Sequence, residues 1–215
     1  IVKEYPNQLS TSKNVMSQVL KDMAALANSD KLGLIVGSHA SSWLNSIYTR
    51  AFGQDGSGTD NTMLIPDMVE ALKSVGKTFD FILFDACYMG TIEVAYTFRE
   101  VANYQISSVM EVPAYGFPYE NFMGNLYKGT VDNYQQVCQA YVDYYKTLYS
   151  EGDVAWGTVA LINSKEVGNL TDALKQVIVE NKETLANYNA KHLQEYGRNS
   201  GPYIASDLGH FGKDL

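Results

Sequence analysis

The sequence is poor in proline, cysteine and basic residues. Only 5 prolines occur in 215 residues and no low-complexity tract is present, which excludes a collagenous, fibrous or disordered chain. Two cysteines are too few for a disulfide framework, so they do not indicate a compartment. The 16 Lys and Arg residues face 24 Asp and Glu, a net charge of −8, and they are scattered. Nucleic acid is therefore not an expected partner.

Long apolar runs are also missing. A membrane span needs about 18 apolar residues, and the strongest run, 79–87, contains Asp80 and Asp85, so no membrane insertion is expected. A chain of this length fits one globular domain, since domains usually hold about 100–200 residues. The chain begins at Ile1 without a methionine or a leader, which predicts a processed or truncated piece.

Apolar periodicity predicts that strands and helices alternate. Helices are predicted over about 9–29, 64–75, 92–99, 132–150 and 165–187, strands over 32–38, 79–85, 105–112 and 156–162, and a turn-like stretch over 41–61. The strands 32–38 and 79–85 are almost wholly apolar, as strands covered on both faces are. The alternation indicates βαβ units and a mainly parallel sheet, in which functional groups collect just beyond the carboxyl ends of strands.

Candidate catalytic residues follow the two strongest strands. The first strand runs into His39 and the second into Asp85 and Cys87. Parallel strands end at the same edge of a sheet, so a thiol and an imidazole 48 positions apart can meet. A neighbouring histidine and a helix N-terminus favour the nucleophilic thiolate, and the imidazole can protonate a leaving amine. A core cysteine and a structural histidine stay open as alternatives.

Several segments resemble the clostripain-like cysteine peptidases. The resemblance is carried by residues 32–39 (LGLIVGSH), 64–72, 79–96 (FDFILFDACYMGTIEVAY) and 111–119, and more faintly by 206–211. That family belongs to the caspase-like clan, in which a histidine about 50 residues before the cysteine is a known arrangement. The resemblance implies an α/β fold, a caspase-like α/β/α sandwich. It also implies that 1–215 is one clostripain-like domain that lacks its amino-terminal strand and helix.

The same resemblance implies roles for the candidate residues. Cys87 would be the nucleophile and His39 its acid/base partner. The backbone amides of Cys87 and Ala40 would form the oxyanion hole. Ala40 stands where the family usually has glycine, which keeps the N–H but restricts φ and adds a methyl group.

Substrate-binding residues are implied as well. Asp85 would line the S1 pocket and pair with an Arg or Lys side chain at P1, with a structural or helix-capping acid as the alternative. Glu111 and Tyr115 would also line the substrate site. Some family members carry a second acid at the position of Tyr115, so the preference for basic residues is expected to be weaker here.

The loop between the two strongest strands carries two further expectations. Arg50 is its only basic residue, so cleavage after Arg50 is the predicted processing event. Asp55 and Asp60 are possible calcium ligands, although a solvated turn is favoured because no EF-hand pattern is present. No other cofactor is expected, since His192 and His210 lie outside any metal-ligand spacing.

The sequence thus predicts a cysteine endopeptidase that cleaves proteins or peptides after Arg or Lys, in a secreted or cell-envelope location of a bacterium. One alternative is a catalytically silent peptidase-like domain that binds a peptide or protein partner through the same groove. Another is a flavodoxin-like ligand-binding protein, favoured only if His39 and Cys87 lie far apart. Cys138 is expected to be a structural thiol on the helix 132–150. The oligomeric state is not predicted.

Overall fold

The computed structural model of the chain describes residues 3–5, 8–42, 51–55, 61–149, 157–197 and 205–215. Within these ranges the strands are β1 Gly33–Gly37, β2 Ala51–Gln54, β3 Thr62–Leu64, β4 Phe79–Asp85, β5 Ala102–Ser107, β6 Ala160–Asn163, β7 Glu195–Tyr196 and β8 Ala205–Ser206. The helices are α1 Lys13–Leu26, α2 Ile65–Lys73, α3 Ile92–Phe98, α4 Tyr119–Lys128, α5 Val131–Leu148, α6 Ser164–Glu180, α7 Lys182–Ala186 and α8 Leu208–Asp214, with a 3₁₀ turn at Ala190–His192. None of these helices has both the length and the apolar character needed to cross a bilayer.

A four-stranded sheet in the order β1-β4-β5-β6 forms the centre of the described structure. β1, β4 and β5 are parallel, and β6 runs antiparallel to β5 at one edge. The predicted mainly parallel sheet is confirmed. β4 is an inner strand and its residues Ile82, Leu83 and Phe84 are fully buried, whereas Leu34 to Val36 of the edge strand β1 are only half-buried. The expectation that both strands are covered on both faces therefore holds for β4 but not for β1.

Helices cover the two faces of this sheet. On one face, α1, α2 and α3 pack against Ile82 and Phe84, and α6 lies beside α3 and β5. On the other face, α4 and α5 pack against Leu83 and Ile106 through aromatic side chains. Successive β4 side chains point to opposite faces of the sheet, which is why neighbouring residues serve separate cores. The predicted α/β/α sandwich is confirmed.

The third predicted strand is displaced. The segment 105–112 was expected to be extended throughout, but β5 ends at Ser107. The backbone beyond it leaves the sheet because its carbonyls serve another loop: Ser108 O accepts from Gly90 N at 2.7 Å and Met110 O accepts from Tyr88 N at 2.9 Å. A pattern of apolar residues cannot show that these carbonyls are used outside the sheet.

Other elements also differ from the predicted ones. Helix α4 was not predicted, because Gly124 interrupts the one-turn spacing of its two buried residues, Phe122 and Leu126. The long helix predicted over 165–187 is divided at Asn181 into α6 and α7. The turn-like stretch 41–61 contains β2, while its residues 43–50 and 56–60 lie outside the described ranges.

Substitution of Gly33 by alanine should destabilise the sheet. An added Cβ would lie 2.2 Å from Cε1 of Phe81, its partner on β4, so the Phe81 ring would have to leave its place in the core. Overpacking of this kind costs about 1–3 kcal/mol of the free energy of unfolding. Gly37→Ala at the other end of β1 is the matched control, since a Cβ there meets nothing within 4 Å. Urea unfolding of both variants checks the prediction; an equal loss of stability in the two would contradict it.

Candidate active site

The ends of β1 and β4 bring the candidate nucleophile and its partner to one edge of the sheet. The parallel register runs from Gly33 opposite Phe81 to Gly37 opposite Asp85. It continues one step further, because Ser38 N donates to Asp85 O at 3.3 Å. His39 and Cys87 each lie two residues beyond the last Cα pair. The expectation that the two strand ends lie side by side is met by this register.

A cavity of about 1100 Å³ opens at this edge. Its lining consists of Gly37–Ala40 after β1, Asp85–Tyr88 after β4, Met110–Gly116 after β5, and Gly197. The residues predicted to act as catalytic, oxyanion-binding and substrate-binding groups therefore surround one cavity. Arg50, the predicted processing site, lies outside the described residues.

Cys87 lines the cavity, is half-buried and is not part of a disulfide. Its Sγ lies 4.0 Å from the carbonyl oxygen of Val112. The next residue, Tyr88, has a φ of +63°, which is a strained conformation for a bulky side chain. Strain of this kind is stable only where the surrounding contacts enforce it. Here Tyr88 N donates to Met110 O, which fixes the turn that carries the thiol.

Gly90 fixes the same turn because its Cα lies very close to the backbone of the segment that leaves β5. A Cβ on Gly90 would lie 2.6 Å from Val109 N and 2.7 Å from the carbonyl carbon of Ser108. These are backbone atoms that no side-chain rotation can move. Only glycine lets the loop after Cys87 lie directly on the segment that leaves β5.

His39 lies on a segment that pairs with β2. Its imidazole is exposed, and its carbonyl accepts from Gly53 N at 2.9 Å. This bond makes the bridge between Ala40 and Phe52 a non-hydrogen-bonded antiparallel pair, so the Ala40 amide faces away from β2. Ala40 is not among the residues with positive φ. The alanine at this usual glycine position is therefore compatible with an unstrained backbone.

A buried hydrogen bond connects the two catalytic segments. Ser42 is 2% exposed and has a φ of +56°, and its Oγ lies 3.0 Å from Oγ1 of Thr91. Thr91 is the N-cap residue of α3, the helix that follows Cys87. The segment after His39 is thereby joined to the start of the helix behind the thiol.

Asp85 is held by the loop after β5. Its Oδ2 accepts from Tyr119 Oη at 2.6 Å and from Phe117 N at 3.3 Å, and its Oδ1 accepts no hydrogen bond within the described part of the chain. Gly116 has a φ of +69°, and a Cβ there would lie 2.8 Å from Oδ2. Tyr145 Oη donates to Gly116 O at 2.6 Å. One carboxylate oxygen thus organises the loop, and Asp85 caps none of the described helices.

Sequence reasoning missed the tyrosines that support this arrangement. Burial and, second, the hydrogen bond to Asp85 raise the pKa of Tyr119 far above its usual value. Burial likewise raises the pKa of Tyr145 and Tyr141. Tyr119 and Tyr145 act as hydrogen-bond donors in this arrangement. Tyr141 and Tyr145 are buried on α5, but no local signal indicates that Tyr119 reaches Asp85.

The loop proposed for calcium offers few ligands among the described residues. Asp55 Oδ2 accepts from Ser10 N at 2.7 Å, a hydrogen bond that lowers the pKa of this exposed carboxyl. Asp60, the second proposed ligand, lies outside the described ranges. Calcium takes six to eight oxygens, and the described surroundings of Asp55 do not supply such a cradle.

Tyr119→Phe should destabilise the loop over Asp85. The substitution removes the phenol that donates to a half-buried carboxylate, and hydrogen bonds to charged groups contribute about 1.5–3 kcal/mol. Tyr127→Phe on the same helix is the control, because Tyr127 is 81% exposed and no hydrogen bond of its phenol is seen within the described residues. Denaturant unfolding of both variants measures the difference. Equal stabilities would show that the Tyr119 phenol does not hold Asp85.

Cys138 should react slowly with alkylating reagents. It lies half-buried on α5, and burial raises the pKa of its thiol to about 11, as expected for a structural cysteine. At pH 7.5 the thiolate fraction of such a group is below about one in a thousand. Its iodoacetamide rate should rise about tenfold for each pH unit up to pH 11, followed by mass spectrometry of the peptide. A rate that is flat above pH 8 would contradict the role of burial.

A thiol and an imidazole at adjacent parallel strand ends of an α/β/α sandwich define the class of caspase-like cysteine peptidase folds. The model of the clostripain family (peptidase family C11) matches residues 1–206. The chain belongs to the clostripain family. No curated protein matches it.

Solved structures similar to the chain are C11 proteases. An inactive zymogen from Parabacteroides distasonis has a TM-score of 0.77 and 30% identity, over 100% of this chain and 58% of that one. A secreted C11 cysteine protease from Bacteroides thetaiotaomicron in complex with an irreversible peptide inhibitor has a TM-score of 0.70 and 34% identity, over 80% of this chain and 50% of that one. A structure of a secreted C11 protease from the same species, "iotapain", has a TM-score of 0.77 and 26% identity, over 98% and 60%. The chain thus spans 50–60% of the length of these three relatives.

Proposed function

We propose that the protein is a cysteine endopeptidase in which Cys87 is the nucleophile and His39 the general acid and base. One observation carries the proposal: a thiol and an imidazole follow two paired parallel strands at the same position and line the same cavity. Membership of the clostripain family supports it. The buried bond between Ser42 and Thr91 supports it further, because it keeps the two segments in a fixed relation.

The proposed reaction uses the Cys87 thiol as nucleophile and the His39 imidazole to transfer protons. The Cys87 thiolate attacks the carbonyl carbon of the scissile peptide bond and forms a tetrahedral oxyanion. Imidazolium at His39 gives its proton to the leaving amine as the C–N bond breaks, which leaves a thioester on Cys87. His39 then removes a proton from a water molecule that attacks the thioester. The acid product leaves, and the proton returns to the thiol.

Two backbone amides are proposed to stabilise the oxyanion. The amide of Ala40 faces away from β2 and belongs to a cavity-lining residue. The amide of Cys87 lies at the end of β4, in a turn that the strained Tyr88 and the close-packed Gly90 keep rigid. Donors fixed in advance need no reorganisation when charge develops, and the loss of one costs roughly 100- to 1000-fold in rate.

Asp85 is proposed to select Arg or Lys at P1. Its Oδ2 is occupied by Tyr119 and Phe117, while Oδ1 is available for a basic side chain. A carboxylate held in this way forms a charge-assisted pair with guanidinium or ammonium, and a neutral side chain leaves it unpaired. Tyr115, at 69% exposure, and Glu111 complete the mouth of the cavity. Asp85 is proposed as the main determinant of the preference because it lies directly after β4 and is held in place by Tyr119 and Phe117.

Proteins or peptides are the proposed substrates, in a secreted or cell-envelope location of a bacterium. Two of the similar structures are described as secreted proteases of Bacteroides thetaiotaomicron, and one of these holds a peptide inhibitor. The catalytically silent alternative has less support, since Ala40 has no strained backbone. Cell fractionation with an antibody against the chain tests the location; retention in the cytoplasm would contradict it.

Replacing Cys87 or His39 should abolish peptide cleavage. Cys87→Ala removes the nucleophile and His39→Ala the proton donor, so each should lower kcat/KM on an arginyl peptide by at least about 1000-fold. Cys138→Ala is the matched control and should retain activity. The measurement is hydrolysis of a fluorogenic peptide by the purified 215-residue protein. If the protein cuts none of a panel of peptides and Cys87 reacts no faster than cysteine in solution, the peptidase proposal fails and the silent domain is favoured.

Asp85→Asn should weaken discrimination at P1. The change removes the charge that pairs with a basic side chain, worth about 1.5–3 kcal/mol, so the ratio of kcat/KM for arginine over norleucine should fall about 10- to 100-fold. Glu120→Gln, an exposed neutralisation on α4, is the control and should leave the ratio unchanged. An unchanged ratio in Asp85→Asn would show that Asp85 is only structural.

A further inference from the structure

A second cluster of chemically active side chains lies away from the cavity, in the last described segments of the chain. It consists of His192, His210 and Asp214. The donor atoms of the three side chains all lie within 4.8 Å of one another, and His192 Nε2 is 2.6 Å from Asp214 Oδ2. His210 and Asp214 are one turn apart on α8, a spacing that places both side chains on the same helix face.

The fold holds His192 close to α8, the helix that carries His210 and Asp214. The ribbon β7–β8 pairs Glu195 with Ser206, and Asp207 N donates to Gln194 O at 2.8 Å. Asp207 then caps α8, because its Oδ1 accepts from His210 N at 2.7 Å. These bonds set the 3₁₀ turn that ends at His192 against the helix that carries the other two side chains.

Neighbouring groups orient the three side chains. The Tyr188 phenol donates to Asp214 Oδ2, and the Tyr188 ring lies edge-on to His192 with 5.8 Å between centroids. The ring of His210 stands perpendicular to that of His192 at 5.7 Å, and its Nδ1 accepts from Gln194 N in a long bond of 3.2 Å. A phenol that donates to the carboxylate is a usual outer partner of a metal-binding aspartate. His210 can bind an ion only when the long bond from Gln194 N breaks, because a neutral imidazole has a single lone pair.

Two imidazoles and one carboxylate are the ligand set of an open zinc site. Zn²⁺ prefers nitrogen, sulfur and a minority of carboxylate oxygens in a tetrahedral arrangement, whereas calcium and magnesium prefer oxygen alone. Ligands at about 2.0–2.2 Å from a tetrahedral ion are roughly 3.3 Å apart. The donor atoms of His192 and Asp214 are 2.6 Å apart, and no pair in the cluster is more than 4.8 Å apart. The exposed side chains of His192 and Asp214 can rotate toward the tetrahedral spacing.

An ordinary ion pair accounts for only part of the cluster. His192 and Asp214 pair at 2.6 Å, with 52% and 26% of their side chains exposed. That pair does not require a second imidazole, yet His210 is brought to it by the capping bond of α8 and by the ribbon. The exposure leaves room for a water molecule as the fourth ligand.

We propose that His192, His210 and Asp214 bind one divalent transition-metal ion of the zinc class. The ion links α8 to the 3₁₀ turn across the ribbon β7–β8. Gly197, the residue after β7, lines the catalytic cavity, so the metal braces a segment that borders the active site. The site is distinct from Cys87 and His39, and its existence does not depend on the proposed peptidase activity.

Zinc and cobalt binding to the Cys87→Ala protein tests the proposal. This background removes the active-site thiol, which would otherwise compete for the ion. We expect one Zn²⁺ per chain in a competition titration with a chromophoric chelator, a rise in the melting temperature with zinc, and the visible absorption of tetrahedral Co²⁺. Shifts of the imidazole nitrogens in ¹⁵N NMR should identify His192 and His210 as ligands and show which ring nitrogen binds.

Variants in the same background assign the ligands. His210→Ala and Asp214→Asn should each weaken zinc binding at least about 100-fold, and Tyr188→Phe, which loses only an outer partner, about tenfold. Asp172→Asn, an exposed aspartate on α6, is the matched control and should bind as tightly as the parent. Circular dichroism of each apo variant shows whether it has folded.

Three outcomes would overturn the proposal. If the Cys87→Ala protein binds no zinc, or if folded His210→Ala and Asp214→Asn proteins bind it as tightly as their parent, there is no metal site here. Zinc shifts confined to His39 in the NMR spectrum would also overturn it.

Discussion

The parallel pairing of β1 with β4 is the constraint on which the site depends. Five Cα pairs in register end at Gly37 and Asp85, and one further backbone bond from Ser38 continues the alignment. A slip of one residue would reverse the faces of the β4 side chains and place His39 and Cys87 at different levels. The register is fixed because Ile82 and Phe84 must enter one core while Leu83 enters the other. Burial in the two cores therefore sets the relative positions of the thiol and the imidazole.

The site also requires a rigid loop around the ends of β1 and β4. The backbone beyond β5 does not continue the sheet but bonds to the turn after Cys87 and then folds over Asp85. Gly90 and Gly116 permit two close approaches in this loop, each at a point where a Cβ would be nearer than 3 Å to another atom. Phenols from α4 and α5 complete this arrangement, since Tyr119 donates to Asp85 and Tyr145 donates to Gly116 O. The aromatic core on that face thus supports the polar groups of the cavity as well as the sheet.

Sequence patterns predicted the bounds of those elements whose structure depends mainly on their own residues. The apolar run 79–85 matches β4 residue for residue, and helical spacing located α2, α3 and α5 to within about two residues. The patterns failed where distant segments compete for backbone groups or where glycines interrupt a helix. Strand β5 was shifted toward residue 112 for the first reason, and α4 was missed for the second.

Some residues of the candidate site could likewise be predicted from the sequence, and others could not. The sequence by itself determined which residues follow the strand ends, so His39 and Cys87 were identified from strand patterns, and the resemblance to clostripain-like peptidases added Ala40, Asp85, Glu111 and Tyr115. Only the tertiary structure decided that Tyr119 and Tyr145 hold the loop at Asp85, and that His192, His210 and Asp214 gather around one point. Strand periodicity is a local property of the chain, whereas these hydrogen bonds join residues 22 to 34 positions apart, whose distance is set by packing. The number of residues between two positions does not determine the distance between their side chains when other parts of the fold bring them together.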